Sequence, residues 1–594
     1  VSILIADFDN QTGDPLFEGS LEQALQIGLE GAPFVSSFER GIAKQIAEEL
    51  QSMDRLDSDT AQLVAAREGI KLVLAGTIAP DGGKFDLTVN AIAPRSGEVV
   101  AESDATAASK LEVLSAMGEL AADLREELGD DSVDRENLEI TETFTAMSLE
   151  AAREYDRAQQ LQYVARYEEA IEHYRSAVEH DPQFGRAYSG WAVAARSLGL
   201  MDEAEEAWEQ AMANLGSMSE RERLRTQGIY YWGVTRNFNK AIETYETLVE
   251  KYPADFVGRN NLAVVKFFAL DFEGALEEGR QALDIYPTNA VARTNFALYA
   301  MYAGDLDAAV GAGREALELD EAAFKAWLPI AIEALASSDL DGARAAYENM
   351  AEAGARGAST ASLGLADAEL YAANFAGAVE ALEAGIGADE EIGNIYGRAV
   401  KYLALAEALQ AQEERAASLD AVSKGLALIR VDATLVPAAL IHLAAGDTDE
   451  ALRIATALGE KLSPQSRAYG NLIEGLVLSQ SGDHVEAIEK LTAAIDKADL
   501  WLIRYFLGRT YLEAGFFVEA LDEFTAADDR HGEAAALFLD DLPTYRYVSD
   551  LPYWQARAQE QLGMTDAATS NFRAFLAARP GGGPLADDAR QRLP

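Results

Sequence analysis

The sequence contains no cysteine, and this absence excludes disulfides, thiolate metal sites and cysteine nucleophiles. Histidine is scarce as well: five histidines are spread over 594 residues, and none belongs to an HExxH or His-x-His arrangement that would hold zinc. The sequence also lacks a Walker loop, a dinucleotide-binding glycine fingerprint and a Gly-x-Ser-x-Gly elbow. We therefore expect no metal ion and no cofactor, and we expect that the protein is not an enzyme.

Basic residues are also few. The sequence has 49 Lys and Arg against 100 Asp and Glu, which gives a formal net charge of −51. A surface of this sign repels phosphate backbones, so nucleic acid is not expected as a partner. No apolar run reaches the ~18–20 residues that cross a bilayer, so direct membrane insertion is not expected either. Because the acidic residues are spread along the chain, they predict a solvated surface.

An alanine recurs with a period close to 34 residues over most of the chain. These anchor alanines are Ala170, Ala204, Ala241, Ala275, Ala309, Ala343, Ala378, Ala417, Ala451, Ala487, Ala520 and Ala568. In the best-matched repeats a large residue follows four positions later and a small residue seven positions later, as Tyr174 and Ala177 follow Ala170. These offsets share one helix face, where small residues let two helices approach closely. The pattern predicts helix pairs.

Prolines support this interpretation, because a proline ends a helix. They stand twelve residues past four of the anchors, at Pro182, Pro253, Pro287 and Pro580. Two steps between anchors are longer than the rest: 39 residues before Ala417 and 48 residues before Ala568. The long steps predict lengthened helices or inserted loops, and residues 540–552 are the expected insertion.

The period and these positions resemble the tetratricopeptide repeat (TPR). The best match is Leu507-Gly508-x-x-Tyr511, which precedes Ala520 and Phe524 at the spacing of the family. The resemblance implies a mainly α fold, in which a TPR superhelical solenoid of about twelve helix pairs over residues 142–594 follows a small α/β domain. It also implies a protein that holds other proteins rather than one that catalyses a reaction.

Residues 1–128 predict that α/β domain. Strands are expected at residues 1–6, 71–78, 84–92 and 97–106. Amphipathic helices are expected at residues 18–29, 42–50 and 111–128. The Pro-Asp-Gly-Gly stretch at 80–83 predicts a hairpin, and the acidic residues 130–134 break the helical pattern. We therefore expect a linker at residues 129–141.

The turn Phe8-x-Asn10-x-Thr12-Gly13-Asp14 resembles the opening of small α/β domains related to the amino-terminal domain of TolB. Residues 3–38 as a whole resemble a segment of bacterial eukaryotic-like serine/threonine kinases that lies between the membrane and a TPR array. The resemblance implies a region in the periplasm or on the extracellular face, anchored through a segment upstream of Val1. A cytoplasmic location stays open as the alternative.

Asp7 and Asp9 follow an apolar strand and allow two other interpretations. Paired aspartates resemble the site of haloacid-dehalogenase phosphatases, but residue 11 is Gln where that family has Thr or Val. A calcium loop that begins at Asp7 would place Glu18 at its twelfth position, but its sixth position is Thr12 instead of Gly. A strand-to-helix turn with an Asp or Thr cap fits the pattern better.

The repeat register also predicts partner-binding residues, because in TPR arrays the first helix of each pair lines the ligand-binding face. The register assigns ligand-facing positions to Arg186, Ser189, Arg196, Arg223, Tyr230, Asn260, Tyr505 and Arg509. Several arginines on one surface of an acidic chain predict a site for a carboxylate or an acidic segment. The alternative is that these arginines pair with neighbouring acids.

The sequence therefore predicts a non-catalytic scaffold or sensor region with a protein or peptide ligand. A permanent structural subunit of a larger envelope or surface assembly is the second hypothesis. An enzyme centred on Asp7 and Asp9 is the third.

Overall fold

The computed structural model describes residues 1–51, 55–130, 148–164 and 166–593. The chain divides into two compact units: unit 1 comprises residues 1–269 and 277–289, and unit 2 comprises residues 270–276 and 290–594. Except for residues 129 and 130, the predicted linker lies outside the described residues. The domain boundary at this linker therefore stays a prediction.

Unit 1 begins with a six-stranded sheet in the described residues. Its strands are β1 (Ser2–Ile5), β2 (Asp9–Asn10), β3 (Ser36–Ser37), β4 (Leu72–Asp81), β5 (Lys84–Ala93) and β6 (Glu98–Ala107). The strand order is β3-β1-β4-β5-β6, and β2 pairs with β4. Strand β1 runs parallel to β3 and β4, whereas β4, β5 and β6 form an antiparallel meander. Pro80 and Asp81 still belong to β4, so the hairpin turn is confined to Gly82 and Gly83 and is shorter than predicted.

Four helices flank this sheet in the described residues: α1 (Ser20–Leu29), α2 (Arg40–Gln51), α3 (Ser58–Glu68) and α4 (Val113–Glu127). The sequence pattern predicted three of them and missed α3. Successive side chains of β1 point to opposite faces of the sheet, and helices cover both faces. Ile3 and Ile5 face a core with α1 and α4, whereas Leu4 faces a second core with α2 and α3. The predicted α/β domain is confirmed.

Helix pairs follow the sheet domain. In unit 1 they are α5 (Leu149–Tyr163), α6 (Tyr167–His180), α7 (Gly185–Ser197), α8 (Met201–Ala213), α9 (Glu220–Gly233), α10 (Phe238–Lys251), α11 (Phe256–Phe268) and α12 (Phe272–Ile285), of which residues 277–285 belong to this unit. Odd-numbered helices are the first members of the pairs. Helices α6, α10 and α12 each end two residues before a predicted stop, at Pro182, Pro253 and Pro287.

Unit 2 continues the array. Its helices are α13 (Ala290–Tyr302), α14 (Leu306–Leu319), α15 (Trp327–Ala336), α16 (Leu340–Glu352), α17 (Ala355–Tyr371), α18 (Phe375–Glu391), α19 (Ile395–Ala411), α20 (Arg415–Leu428), α21 (Asp432–Ala444), α22 (Thr448–Gly459), α23 (Pro464–Gln480), α24 (His484–Ile495), α25 (Trp501–Ala514), α26 (Phe517–Asp529), α27 (Leu551–Gln561), α28 (Thr565–Ala578) and α29 (Pro584–Arg592). Helices α17, α18 and α19 have 17 residues each, which explains the long step before the anchor of α20.

The anchor alanines lie in the second helices and are buried, with one exception. Ala417 is exposed, whereas the neighbouring Ser418 is fully buried and donates to the carbonyl of Ala406 on the paired helix. The predicted anchor in α20 was therefore wrong by one residue, because a serine replaces the alanine at the helix contact.

Close helix approach explains the glycines opposite the buried aromatic side chains. A Cβ atom added to Gly508 in α25 would lie 2.7 Å from the ring of Phe524 in α26. The same addition at Gly364 in α17 would lie 2.2 Å from the ring of Tyr347 in α16. These aromatic side chains are fully buried. They belong to the core of the array.

Candidate ligand-binding surfaces

The first helices of successive pairs pack side by side in each unit and form what we call the first-helix layer. In unit 1, the sheet domain lies against this layer. Arg40 of α2 donates to Asp156 of α5 at 2.9 Å, and Arg186 of α7 pairs with Glu30 at 2.7 Å. Arg221 of α9 donates to the carbonyl of Glu30 at 2.7 Å. The sheet domain is therefore bound to the repeats through buried arginines.

Glu30 is the centre of this contact. Its carboxylate pairs with Arg186 at 2.7 Å and with Arg225 at 3.4 Å. Burial acts to raise the pKa of Glu30, but the positive charges of Arg186, Arg225 and Arg221 outweigh burial and hold that pKa at about 2. Asp255, the cap of α11, has its pKa lowered by Arg225 and Arg221 in the same way. Glu30 and Asp255 are therefore ionised at neutral pH.

A chamber of about 530 Å³ lies between the sheet domain and the first helices α5, α7 and α9. Five glutamines line it, and for this reason we call it the glutamine chamber. They are Gln23, Gln26, Gln159, Gln160 and Gln162. Arg186 and Ser189, two of the predicted partner-binding residues, also line the chamber. Tyr163 at its margin is 40% exposed. The chamber thus combines amide groups with an opening to solvent.

A second cavity of about 540 Å³ lies beside the chamber, and the Arg40–Asp156 ion pair lines both. Its lining includes Arg55, Arg153 and Arg157, so we call it the arginine cavity. Asp7 lies at this cavity and pairs with Arg40 at 2.5 Å. Burial acts to raise the pKa of Asp7, but the charges of Arg40 and Lys44 and a hydrogen bond from the Leu56 amide lower it below its usual range.

The first-helix layer of unit 2 is covered differently. Residues 531–550, which connect α26 to α27, run along it; half of them are buried and none is exposed. We call them the inner segment. Tyr302 of α13 donates to the carbonyl of Ala536 at 2.8 Å, and Tyr469 of α23 donates to the carbonyl of Leu537 at 2.6 Å. The insertion was expected at residues 540–552 but begins earlier, at residue 531. Residues 551 and 552 belong to α27.

Arg546 fixes the far end of the inner segment. It pairs with Asp367 of α17 at 2.9 Å and with Glu407 of α19 at 2.6 Å. Asp367 also accepts the backbone amide of Tyr545 at 2.8 Å and is fully buried. A cavity of about 20 Å³ lies between the inner segment and the layer, which is enough for about one water molecule. The segment packs closely against α17, α19 and α21 around this cavity.

The predicted partner-binding residues of unit 1 have different surroundings. Arg186 and Ser189 line the glutamine chamber, and Arg186 is paired with Glu30 and Glu222. Arg196 donates to the carbonyl of Gly233. Arg223 is partly exposed and lies 3.8 Å from Glu220. The alternative weighed from the sequence, pairing with neighbouring acids, thus holds for Arg186 and Arg223, and ligand binding by these residues stays a prediction.

The remaining predicted residues pack against aromatic side chains or polar neighbours. Tyr230 lies 6.2 Å from the ring of Trp208, and the side chain of Asn260 contacts Asn261 at 3.5 Å. In unit 2, Tyr505 accepts a hydrogen bond from Trp554 at 3.0 Å and is 3% exposed. Arg509 lies over the ring of Trp554 at 4.6 Å. Ligand binding by these four residues also stays a prediction.

In the described ranges, no group of three or more His, Cys, Asp or Glu side chains is arranged to hold a metal ion. Among the same residues, no helix has the length and the apolar character needed to span a bilayer.

Comparison with known proteins supports the repeat assignment. Residues 155–217 match the family model described as tetratricopeptide repeat. Among solved structures, the Cut9–Hcn1 hetero-tetramer of the APC/C has 14% sequence identity, covers 81% of this chain and 85% of its own, and has a TM-score of 0.41. Yeast Tom70 has 15% identity, covers 64% of this chain and 88% of its own, and has a TM-score of 0.38. A search of curated proteins finds no match.

A third solved structure, a thermophilic TPR protein of Thermus thermophilus, has 20% identity and covers 29% of this chain and 92% of its own, with a TM-score of 0.25. The family model matches residues 155–217, so the TolB-like and kinase resemblance of the first residues stays a prediction. The chain contains tetratricopeptide repeats, and its fold is mainly α, with helix pairs in a TPR-like arrangement after a small α/β domain.

Proposed function

We propose that this protein is a non-catalytic scaffold that binds a protein or peptide at the glutamine chamber. TPR proteins bind protein or peptide ligands on the surface that their first helices form. The observation that carries the proposal is the overlap between the TPR match and the chamber. The matched residues 155–217 include Gln159, Gln160, Gln162, Arg186 and Ser189, all of which line the open space of about 530 Å³.

The lining indicates the chemistry of the ligand. A glutamine amide both donates and accepts hydrogen bonds. Gln26, Gln159, Gln160 and Gln162 each form one hydrogen bond within the protein, and their remaining amide groups match the N–H and C=O groups of a peptide backbone. Arg186 is already paired with Glu30 and Glu222. A ligand carboxylate would have to compete with these buried acids, which costs free energy. The ligand we propose is therefore an uncharged polar peptide segment rather than an acidic one.

Site-specific photo-cross-linking tests this proposal. A benzophenone amino acid at Ser189 would lie at the chamber, and the same residue at Ser423 would lie on the exposed face of α20 as a matched control. We expect discrete partner adducts from position 189 and none from position 423. Immobilised wild-type protein should capture that partner, whereas the immobilised Ser189→Trp variant, whose indole fills the chamber, should not. Equal adduct patterns at both positions would contradict the proposal.

The location of the protein belongs to the same proposal. We propose an extracytoplasmic region, in the periplasm or on the extracellular face, tethered through an upstream segment. The support is the resemblance of residues 3–38 to the segment between the membrane and a TPR array in bacterial eukaryotic-like kinases. Protease protection of the native protein in intact cells and spheroplasts tests the location. Digestion only after cell lysis would refute it.

The inner segment favours a second candidate, a permanent structural subunit of a larger envelope or surface assembly. The inner segment occupies part of the first-helix layer, which leaves less room for a reversible ligand there and suits a static part. Size-exclusion chromatography of the native protein distinguishes the two. A permanent subunit should co-elute with its partners at fixed stoichiometry, whereas a scaffold with a reversible ligand should elute partly alone.

A further inference from the structure

The arginine cavity differs in charge from the rest of the chain. The whole sequence has 100 acidic residues and 49 basic ones, which is about two to one. The cavity lining instead holds equal numbers of acidic side chains and of Arg or Lys side chains. The acidic residues are Asp7, Glu18, Glu22, Glu154 and Asp156. The basic residues are Arg40, Lys44, Arg55, Arg153 and Arg157, and His173 is also present.

Most of the acidic side chains already have partners within the protein. Asp7 and Asp156 both accept from Arg40, at 2.5 and 2.9 Å. Glu154 contacts the ring of His173 at 2.6 Å. Arg40 and Lys44 therefore offset part of the negative charge of the lining before any ligand enters.

Three arginines of the lining are not compensated in this way. Arg55, Arg153 and Arg157 are exposed, and in the part of the chain that the structure describes none of them has a carboxylate partner. Arg153 and Arg157 lie one turn apart on α5, so both occupy the same helix face. Arg55 donates one hydrogen bond to the carbonyl of Phe8 at 3.2 Å, which leaves its other N–H groups for another acceptor.

Two buried polar atoms of the same lining also lack a hydrogen-bond partner among the described residues: Nε of Arg40 and Oε2 of Glu22. Both side chains are more than nine-tenths buried. Buried polar groups are usually paired with protein or with an ordered molecule. The unpaired Nε–H of Arg40 beside this open space is consistent with an occupant that accepts a hydrogen bond.

We propose that the arginine cavity binds a small anionic ligand through a carboxylate or phosphate group. Its volume of about 540 Å³ lies within the range of small-molecule sites. Guanidinium groups bind both anions in bidentate geometry, and three of them at one cavity provide that geometry without breaking an internal ion pair. The chain as a whole has a net charge of −51 and repels anions. The three arginines give this cavity a local attraction for anions.

Isothermal titration calorimetry of the full chain tests the site, with inorganic phosphate and citrate as separate probes at low ionic strength. We expect one site per chain. Arg153→Ala with Arg157→Ala should weaken binding at least tenfold, whereas Arg153→Lys with Arg157→Lys, which keeps the charges but loses the fork, should weaken it less. Arg314→Ala with Arg573→Ala removes two exposed arginines of outer helices α14 and α28 and should leave the affinity unchanged.

Binding of phosphate alone, of citrate alone or of both would support the site and identify the preferred anionic group. Absence of binding heat with both probes would overturn the proposal, and so would an equal loss in the control variant. Because all four arginines are exposed, circular dichroism should show unchanged folding. Arg55, Arg153 and Arg157 line this cavity and not the glutamine chamber, so a failure of this proposal leaves the cross-linking test of partner binding unaffected.

Discussion

The two units cover their first-helix layers in different ways. In unit 1 a folded α/β domain lies against the layer through buried ion pairs, and spaces of about 530 and 540 Å³ remain between them. In unit 2 a connecting segment lies against the layer and leaves a space of about 20 Å³ beside it. The same helix-pair architecture therefore produces an open face in one unit and a filled face in the other.

The difference follows from what covers each layer. A folded domain has a fixed surface, so it contacts the helices at a few places, such as the Glu30 cluster, and cannot fill every space between them. The inner segment is not a folded domain with a fixed surface. It consists largely of short 3-10 turns, so its side chains can pack against the helices individually. Ligand capacity is therefore expected in unit 1, and rigidity is expected in unit 2.

Arg546→Met should produce the largest loss of stability and should affect unit 2. The substitution leaves the fully buried Asp367 without its counter-charge, and breaking a buried pair in this way costs about 3–5 kcal/mol. Native-state hydrogen exchange of α17 measures the effect in unit 2 alone. Arg398→Met on α19 is the matched control, since Arg398 pairs with the exposed Glu390 and should cost about 0–1 kcal/mol.

The double variant Arg546→Met with Asp367→Leu should recover much of the loss, because no buried charge is then left unpaired. An equal and small effect of Arg546→Met and Arg398→Met would mean that the inner segment is not held against the layer.

Glu30→Gln should affect unit 1 in a pH-dependent way. The pKa of Glu30 falls from 4.5 to about 2 in the folded chain, so its ionised form contributes stability on the order of 3 kcal/mol at pH 7. This contribution is fully present above pH 4.5 and is lost as the pH falls through 2. Urea unfolding of the two proteins at several pH values should show a difference that shrinks over this window.

Glu209→Gln is the control for this experiment, because Glu209 is exposed on α8 in the same unit. Its effect should be small and should not vary with pH. A pH-independent difference for Glu30→Gln would show that the contact between the sheet domain and the repeats does not depend on the Glu30 charge.

Ala309→Leu and Ala275→Leu should destabilise the array by about 1–3 kcal/mol each, because both alanines are fully buried at helix contacts and a larger side chain overpacks them. Ala417→Leu is the control, since Ala417 is exposed beside the true anchor Ser418. Thermal unfolding should separate the first two variants from the third. A matching loss in all three would mean that the helix register is not the one described.

Arg223→Glu should have the smallest effect on stability. Arg223 is partly exposed and lies 3.8 Å from Glu220, so the lost attraction is worth about 0–1 kcal/mol. The variant therefore tests partner binding without disturbing the fold of unit 1. Weaker partner capture would support the predicted role of Arg223, whereas unchanged capture would confine the proposed site to the glutamine chamber.

Much of this fold could be predicted from the sequence, because the repeat period and the prolines that end helices are local signals. The 34-residue spacing, the buried alanines and the prolines at 182, 253 and 287 agree with the observed helix ends. The one wrong anchor, Ala417, arose because a serine can replace a buried alanine when its hydroxyl finds a carbonyl. Helix α3 was missed because its apolar residues are not concentrated on one face.

The candidate sites were less accessible to sequence reasoning. The register placed Arg186 and Ser189 on the surface that lines the chamber. It could not show that Glu30, 156 residues away, pairs with Arg186, because only the tertiary fold brings them together. It also gave no sign that residues 531–550 would lie against the first helices of their own unit. The arginine cavity combines residues from distant segments in the same way.

Hydrogen exchange in the inner segment of the unmodified protein tests the difference between the units most directly. The amides of Leu537, Thr544 and Tyr545 are hydrogen-bonded to Thr544, Ala535 and Asp367. We expect these three amides to exchange as slowly as the core amides of α17 and α23. Exchange at the rate of an exposed loop would contradict it, because the first-helix layer of unit 2 would then be open to ligands.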